Sequence, residues 1–313
     1  MVTEPPRILV IGSINMDLVV RTPAMPAPGE TVLGSDVTTS PGGKGANQAV
    51  AAQRLGGMVT MIARVGDDAF GETLKNGLAE EGIDVAYVTV TESTPTGVAF
   101  IMVDRQGENS IVVASGANHA VTPDDVYTHE QLFDEHDVLV LQLELPCPTV
   151  RAAIDLARRH GLKTLLDPAP AMKQFPDELC CVDVISPNVN EAEILTGKKA
   201  VEERDRIDKL VASELIQRGA KNAVLKLGSR GSLVVCADGH MYRVPPYKVE
   251  VVDTTAAGDA FTAGLAVSLA QGRGLHESAR LANAAGSLAC TTLGAQSAMP
   301  TAYQVKMLME DQP

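Results

Sequence analysis

The chain has 313 residues, 45% of them hydrophobic, with Lys+Arg 26 against Asp+Glu 39 and a formal net charge of −13. That is ample apolar sequence for one large α/β domain or two ordinary ones. A chain this acidic, with no basic run, is a poor candidate for binding nucleic-acid phosphates or an anionic membrane, although amides and bound cations can still hold a phosphorylated ligand locally. The five cysteines, Cys147, Cys180, Cys181, Cys236 and Cys290, form no C-x-x-C and are odd in number. They read as reduced thiols of a cytosolic protein, not as a disulfide framework or zinc site. Residues 1–6 lack a basic segment before an apolar stretch, and no apolar run reaches the roughly 18 residues of a bilayer span. The expected location is cytoplasmic.

In chain order, residues 7–14 open with Ile8, Leu9, Val10 and Ile11 before Gly12, a short apolar run suited to a parallel sheet covered on both faces. Residues 45–55 are Ala-rich at helical spacing and stop at Gly56 and Gly57; 59–65 read as a strand and 69–81 as a helix closed by Gly82. Residues 18–40 and 85–115 break this rhythm and read as antiparallel strands with turns, for example 98–103, a turn at Gln106 and Gly107, then 110–113. Beyond them come a strand at 138–143, a helix at 149–160, a strand at 163–166, a helix at 205–218 and strands at 223–227 and 249–252. Helices are expected at 260–270 and 277–292. The alternation implies βαβ units in a doubly wound, mostly parallel sheet flanked by helices, class α/β. The expectation is a single domain over 1–313 carrying a small β-sheet lid from segments about 15–40 and 97–114. No low-complexity segment, long linker or internal repeat interrupts it.

Several chemistries are excluded. There is no G-x-x-x-x-G-K-[ST], because Lys44 in Gly42-Gly43-Lys44-Gly45 is followed by glycine and not by a hydroxyl residue. No G-x-G-x-x-G follows the first strand, against a dinucleotide oxidoreductase. H-E-x-x-H and G-x-S-x-G are missing, and the six histidines, among them His119, His129, His160 and His276, form no spaced cluster.

The strongest constellation is Asp253-Thr254-Thr255-Ala256-Ala257-Gly258-Asp259-Ala260-Phe261, between an expected strand and an Ala-rich helix. Small residues at 256–258 let backbone approach a ligand closely. The first-turn amides and the helix dipole favour an anion there, and an aspartate among them suits a base beside a phosphate. The plainer alternative is that Gly258 and Asp259 only cap a helix.

With Gly42-Gly43-Lys44-Gly45-Ala46-Asn47-Gln48-Ala49, then Gly56 and Gly66, this segment resembles the paired motifs of the ribokinase (PfkB) family of carbohydrate kinases. The resemblance runs nearly end to end, through Gly12-Ser13-Ile14-Asn15-Met16-Asp17, Pro28-Gly29-Glu30-Thr31, Gly66-Asp67-Asp68, Asp167-Pro168-Ala169-Pro170, Pro187-Asn188, Gly228-Ser229-Arg230-Gly231 and Gly294-Ala295-Gln296. It implies a ribokinase-like fold and ATP-dependent phosphorylation of D-ribose at O5. Asp259 would be the catalytic base, and Ala256, Ala257 and Gly258 would supply an amide anion hole, which fits a reaction that needs alignment and charge neutralisation. Sugar binding would fall to Asn15, Asp17, Gly43, Lys44, Asn47 and Glu144 with Asp259. Carboxylates and amides can each engage two neighbouring hydroxyls, and Asn15 and Asp17 are expected at the carboxyl end of the first strand, where open α/β sheets bind ligands. Singly, either is equally a turn residue, and Lys44 a solvated lysine.

The same resemblance places Asn188, Lys226, Gly228, Gly231, Gly258 and Asn283 around ATP, and Glu191 near Mg2+ through water. Asn188 and Glu191 also suit a helix cap with an N3 glutamate. A K+ site is implied at Asp253, Thr255, Ala289, Thr292, Gly294 and Ala298, and a homodimer through the lid. Lys226 stands where the family often has threonine, Asn283 where relatives can have histidine, and Ala298 in place of a small hydroxyl residue. Another sugar or nucleoside kinase of the family, such as a deoxyribokinase or fructokinase, and a non-catalytic sugar-binding protein on the same fold are the alternatives.

Overall fold

The computed structural model describes residues 4–198 and 204–313, so the first three residues of the 1–6 segment lie outside it. In chain order the strands are β1 (Arg7–Ile11), β2 (Asn15–Arg21), β3 (Thr38–Gly42), β4 (Met58–Gly66), β5 (Val88–Thr91), β6 (Gly97–Val103), β7 (Asn109–Ala114), β8 (Val138–Leu141), β9 (Lys163–Leu166), β10 (Val184–Ile185), β11 (Asn222–Lys226), β12 (Ser232–Cys236) and β13 (Met241–Val244). The helices are α1 (Lys44–Arg54), α2 (Ala69–Glu80), α3 (Pro123–Tyr127), α4 (Leu132–Glu135), α5 (Cys147–His160), α6 (Val189–Thr196), α7 (Arg204–Gln217), α8 (Ala257–Ala270), α9 (Leu275–Ala289) and α10 (Ala302–Asp311).

Strand β1 is apolar at four successive positions because it is central. It pairs in parallel with β4 on one side and β8 on the other, and both its faces are covered. Its side chains alternate between two cores. Ile8 and Val10 join Ala49, Ala263 and Ala282 of α1, α8 and α9, whereas Leu9 and Ile11 join Ile154 and Leu215 of α5 and α7. The resulting sheet has the order β13-β12-β11-β10-β9-β8-β1-β4-β5, parallel except for the antiparallel end β11-β12-β13. This is the expected doubly wound α/β architecture. Alanine dominates the facing sides of α1, α8 and α9, which lets the three helices pack closely.

A second, four-stranded sheet has the order β3-β2-β6-β7. Here the structure corrects two expectations and fixes one pairing that the sequence left open. As expected, β2 pairs antiparallel with β3 and β6 with β7, whereas β2 and β6 are parallel to each other. Both continue from strands of the parallel main sheet, β2 after β1 and β6 after β5, so both leave in the same direction. Residues 88–91, expected in the small sheet, pair with β4 as the main sheet's edge. Residues 249–252 are not a strand. Val251 and Val252 are exposed, and the Val252 amide reaches only the Cys290 carbonyl, 2.8 Å away. The sheet ends at β13, so these β-branched residues have no neighbouring strand to pair with. Helix α8 also begins at Ala257 and not at 260, which puts Gly258 and Asp259 inside its first turn. All five cysteines are free thiols. Among the described residues, no helix is long and apolar enough to cross a membrane.

Candidate active site

The expectation that Asn15 and Asp17 end the first strand is also corrected: β1 stops at Ile11, and both residues belong to β2 of the small sheet. They still stand at the carboxyl end of β1, because β2 follows it after three residues. The turn entering α1 presses against this point. Gly43, the N-cap of α1, has φ 88°, and a Cβ there would lie 2.7 Å from the Asn15 amide nitrogen. A residue without Cβ is required twice over, for the conformation and for the approach. The turn brings Lys44 and Asn47 beside Asn15 and Asp17.

Helix α8 supplies the facing wall. Its N-cap, Ala256, is left-handed at φ 56°, an uncommon conformation for alanine that turns the chain sharply into the helix. The Ala257 amide donates to the Thr254 carbonyl at 3.3 Å. Asp259, buried in the first turn, is not a cap. Its Oδ2 accepts from Asn47 Nδ2 and its Oδ1 from Gln48 Nε2, each at 3.0 Å. Burial pushes its pKa up; Lys44 and the two amide hydrogen bonds oppose this, while the charge of Asp167 adds to it.

Behind Asp259 lies a polar network. Gln48 Nε2 also donates to Asp167 Oδ2 at 3.0 Å, Gln142 Nε2 donates to Gln48 Oε1 at 2.7 Å, and Thr262 Oγ1 donates to Asp167 Oδ2 at 3.0 Å. Glu144, just beyond β8, accepts from the Lys44 amide at 3.0 Å and from the Ser13 hydroxyl. Burial opposes the charge of Lys44, yet Asp259, Asp167, Glu144 and Glu191 together push its pKa above the ordinary lysine value. Asp17 moves the other way. Burial, then Glu144 and Asp259, raise it to about 7 against the pull of Lys44. Five carboxylates, those of Asp17, Glu144, Asp167, Glu191 and Asp259, therefore act on the Lys44 ammonium, beside the amides of Asn47 and Gln48.

The expected nucleotide residues lie on the side of β11. Lys226 Nζ is 2.8 Å from Asp167 Oδ1 and would be 3.6 Å from a Cβ on Gly258. Gly228 and Gly231 form a tight turn after β11, closed by the Leu227 amide on the Gly231 carbonyl at 2.8 Å. Asn283 is buried on α9, and its Nδ2 is committed to the carbonyls of Val244 and Pro245 at 3.1 and 3.0 Å. Asn188 and Glu191 form a reciprocal cap of α6: Glu191 N donates to Asn188 Oδ1 at 2.8 Å, and Asn188 N donates to Glu191 Oε2 at 2.7 Å. Glu191's pKa is raised by burial, with Lys226 opposing. Among the described residues, no group of three or more His, Cys, Asp or Glu stands together as a metal cage. A single half-buried carboxylate with one oxygen already on an amide fits a magnesium ion carried chiefly by phosphate oxygens and water.

Asp253 joins the two loops of the expected monovalent-cation site. Its Oδ1 accepts from the amide and hydroxyl of Thr255 at 2.9 and 2.7 Å, and its Oδ2 accepts from the Gly294 amide at 2.9 Å. Ala289, Thr292 and Ala298 belong to the second of these loops or its flanks. Carbonyl oxygens and one carboxylate suit a large, weakly hydrated cation.

The sequence motifs assign no role to Ser13, Gln48, Asn118, Gln142, Asp167 or Thr262. Ser13, Gln48 and Asp167 fall within the motif runs, so their positions were visible although their partners were not. Gln142 carries a faint signal, as a polar residue directly after the apolar run of β8. Asn118 carries none.

Residues 5–302 match the pfkB family of carbohydrate kinases. The ribokinase of Haemophilus influenzae is 39% identical over 301 residues, 96% of this chain and 97% of that protein. A deoxyribokinase of Salmonella typhi is 37% identical over 298 residues, 95% of this chain and 96% of that protein. Among solved structures, the ribokinase of Arabidopsis thaliana complexed with ribose and ATP is 32% identical and superposes with a TM-score of 0.88, covering 98% of this chain and 99% of that one.

Proposed function

The chain belongs to the pfkB family of carbohydrate kinases, and we propose on that basis that it transfers the terminal phosphoryl group of ATP to O5 of D-ribose, giving D-ribose 5-phosphate and ADP. The observation that carries this reading is the carboxylate of Asp259, buried in the first turn of α8 and held on both oxygens by Asn47 and Gln48.

The sugar is bound by Asn15, Asp17, Gly43, Lys44, Asn47 and Glu144, whose carboxylates and amides match adjacent hydroxyls. Asp259 accepts the proton of the 5-hydroxyl. Its raised proton affinity suits it to that task, since a base works best with a pKa near the working pH. The amides of Ala256, Ala257 and Gly258 face the charge that develops on the transferred group. The Ala257 amide has only a long bond to surrender, that to Thr254 at 3.3 Å. Asn188, Lys226, Gly228, Gly231 and Asn283 bound the nucleotide, and Lys226 places a cation beside Gly258. Glu191 organises Mg2+ through water, and the ion neutralises phosphate-oxygen charge when bound. Asp253, Thr255, Ala289, Thr292, Gly294 and Ala298 hold K+, which stiffens the loop that carries the amides.

The small sheet, residues about 15–40 and 97–114, serves as a lid that keeps water from competing as acceptor. Strand β7 is exposed at all six positions, with Ile111, Val112 and Val113 among them. An apolar edge of this kind supports a homodimer through the lid. Free thiols support a cytoplasmic enzyme.

A deoxyribokinase reading is the nearest competitor, because a deoxyribokinase is about as similar as the ribokinases. Coupled ADP release across a panel of pentoses, hexoses and nucleosides tests both. Ribose as the substrate with the highest kcat/KM supports the proposal, and 2-deoxyribose in that place supports the competitor.

A further inference from the structure

Asn118 lies 104 positions from Ile14, in a short turn of helix after β7, and is almost fully buried. Its Oδ1 accepts from the Ile14 amide at 2.9 Å. Its Nδ2 donates to the Ile14 carbonyl at 3.1 Å and to Asn15 Oδ1 at 2.7 Å. The backbone partners fix which way this amide lies, because a peptide N–H only donates and a carbonyl only accepts. The nitrogen of Asn118 must therefore face Asn15, and Asn15 must answer with its oxygen. That leaves Asn15 Nδ2 with no hydrogen-bond partner among the described residues.

Gly97, at the start of β6, permits this pairing. A Cβ at 97 would lie 2.2 Å from Asn15 Oδ1 and 2.3 Å from Asn118 Nδ2. Asn118 is itself held by its amide on the Ser115 carbonyl at 3.0 Å, and its neighbour Ala117 by an amide bond to Pro95 at 2.9 Å.

We propose that Asn118 is a positioning residue that locks Asn15 with its amide nitrogen toward the cleft, so that position 15 meets the sugar as a hydrogen-bond donor only. The inference rests on the reading of Asn15 as a sugar contact. It makes Asn118, together with Gly97, a determinant of sugar affinity that touches no substrate. A freely rotating asparagine would accept or donate; this one selects an oxygen able to accept at that point. A ligand group that only donates there is left opposite N–H groups, and leaving buried polar groups unmatched is how such sites discriminate.

The test is a double-mutant cycle read by ribose titration calorimetry and by steady-state kinetics. Asn118→Asp keeps the acceptor for the Ile14 amide but removes both donors and sets a carboxylate against Asn15 Oδ1. We expect ribose Kd and KM to rise about tenfold, the scale of one hydrogen bond to an oriented group, with kcat at saturating ribose and KM for ATP little changed. Gly97→Ala should raise ribose Kd in the same way. In an Asn15→Ala background, Asn118→Asp should have almost no further effect on ribose Kd, because its effect passes through Asn15. Wild-type ribose affinity in a folded Asn118→Asp variant overturns the proposal. So does an undiminished rise in the Asn15→Ala background, which would mean a purely structural role. If Asn15→Ala alone leaves ribose Kd unchanged, the sugar-contact reading of Asn15 is what fails, and the proposal falls with it. Should Asn118→Asp not fold, the same cycle is run with Asn118→Ser.

Discussion

Lys226 and Asp167 form a buried ion pair at 2.8 Å, with side chains 11% and 2% exposed. It joins the ends of β11 and β9, and through the other oxygen of Asp167 it reaches Thr262 of α8 and Gln48 of α1. Because Gln48 spends the same Nε2 on Asp259, the pair is one hydrogen-bonding residue away from the carboxylate proposed as base.

Removing one partner of such a pair strands the other charge in the interior. Lys226→Met should lower unfolding free energy by about 3 kcal/mol. Adding Asp167→Asn, which keeps an acceptor for Thr262 and Gln48, should recover most of the loss. Urea unfolding of the single and double variants checks this; a loss below about 1 kcal/mol for Lys226→Met would show the pair to be energetically idle.

Asp17 makes stability fall as pH rises. Its folded pKa of about 7 lies above the ordinary aspartate value near 4, so between those limits the folded state binds a proton that the unfolded state has lost. The slope of unfolding free energy from this group is therefore negative from about pH 4 to about pH 7 and vanishes outside that window. Asp17→Asn should remove that component, so its advantage over wild type should grow across the window and then level off. Parallel stability curves for the two proteins would contradict the assignment.

The outer sheet bears on assembly. Val112 is 64% exposed and stands opposite Phe100, itself 51% exposed, in the β6–β7 register. Light scattering should give twice the chain mass at working concentration, and Val112→Lys should shift it toward the monomer. A monomeric wild type refutes the lid contact.

For the monovalent cation, kcat/KM for ribose is measured in potassium, caesium, sodium and a bulky organic cation at constant ionic strength. Potassium should activate, and Asp253→Asn should lose the response while staying folded. Equal activity in all four buffers would sink the site.

The parallel sheet and most helices were legible because buried strands and amphipathic helices write their periods into the sequence, as β1 and α5 do. The direction of β6 was not, since an exposed strand's own residues do not state which neighbour it pairs with. Residues 249–252 looked like a strand by composition alone, and only the missing neighbour decides otherwise. In the site, Asp259, Lys44 and Asn47 were legible through their motifs. Asn118 was not, and Gln142 only faintly so, because their roles consist of hydrogen bonds to residues about a hundred positions away. Such pairings leave no local pattern.

In the proposed reaction Asp259 removes the proton from a ribose hydroxyl. The most direct test of that step is ribose-dependent ADP release by wild type and Asp259→Asn, with ribose and ATP binding measured on the same samples. Positioned proton transfer contributes about 10²–10⁴-fold, so kcat should fall by that factor in the variant while both ligands still bind. A folded Asp259→Asn enzyme with near wild-type kcat would contradict the account.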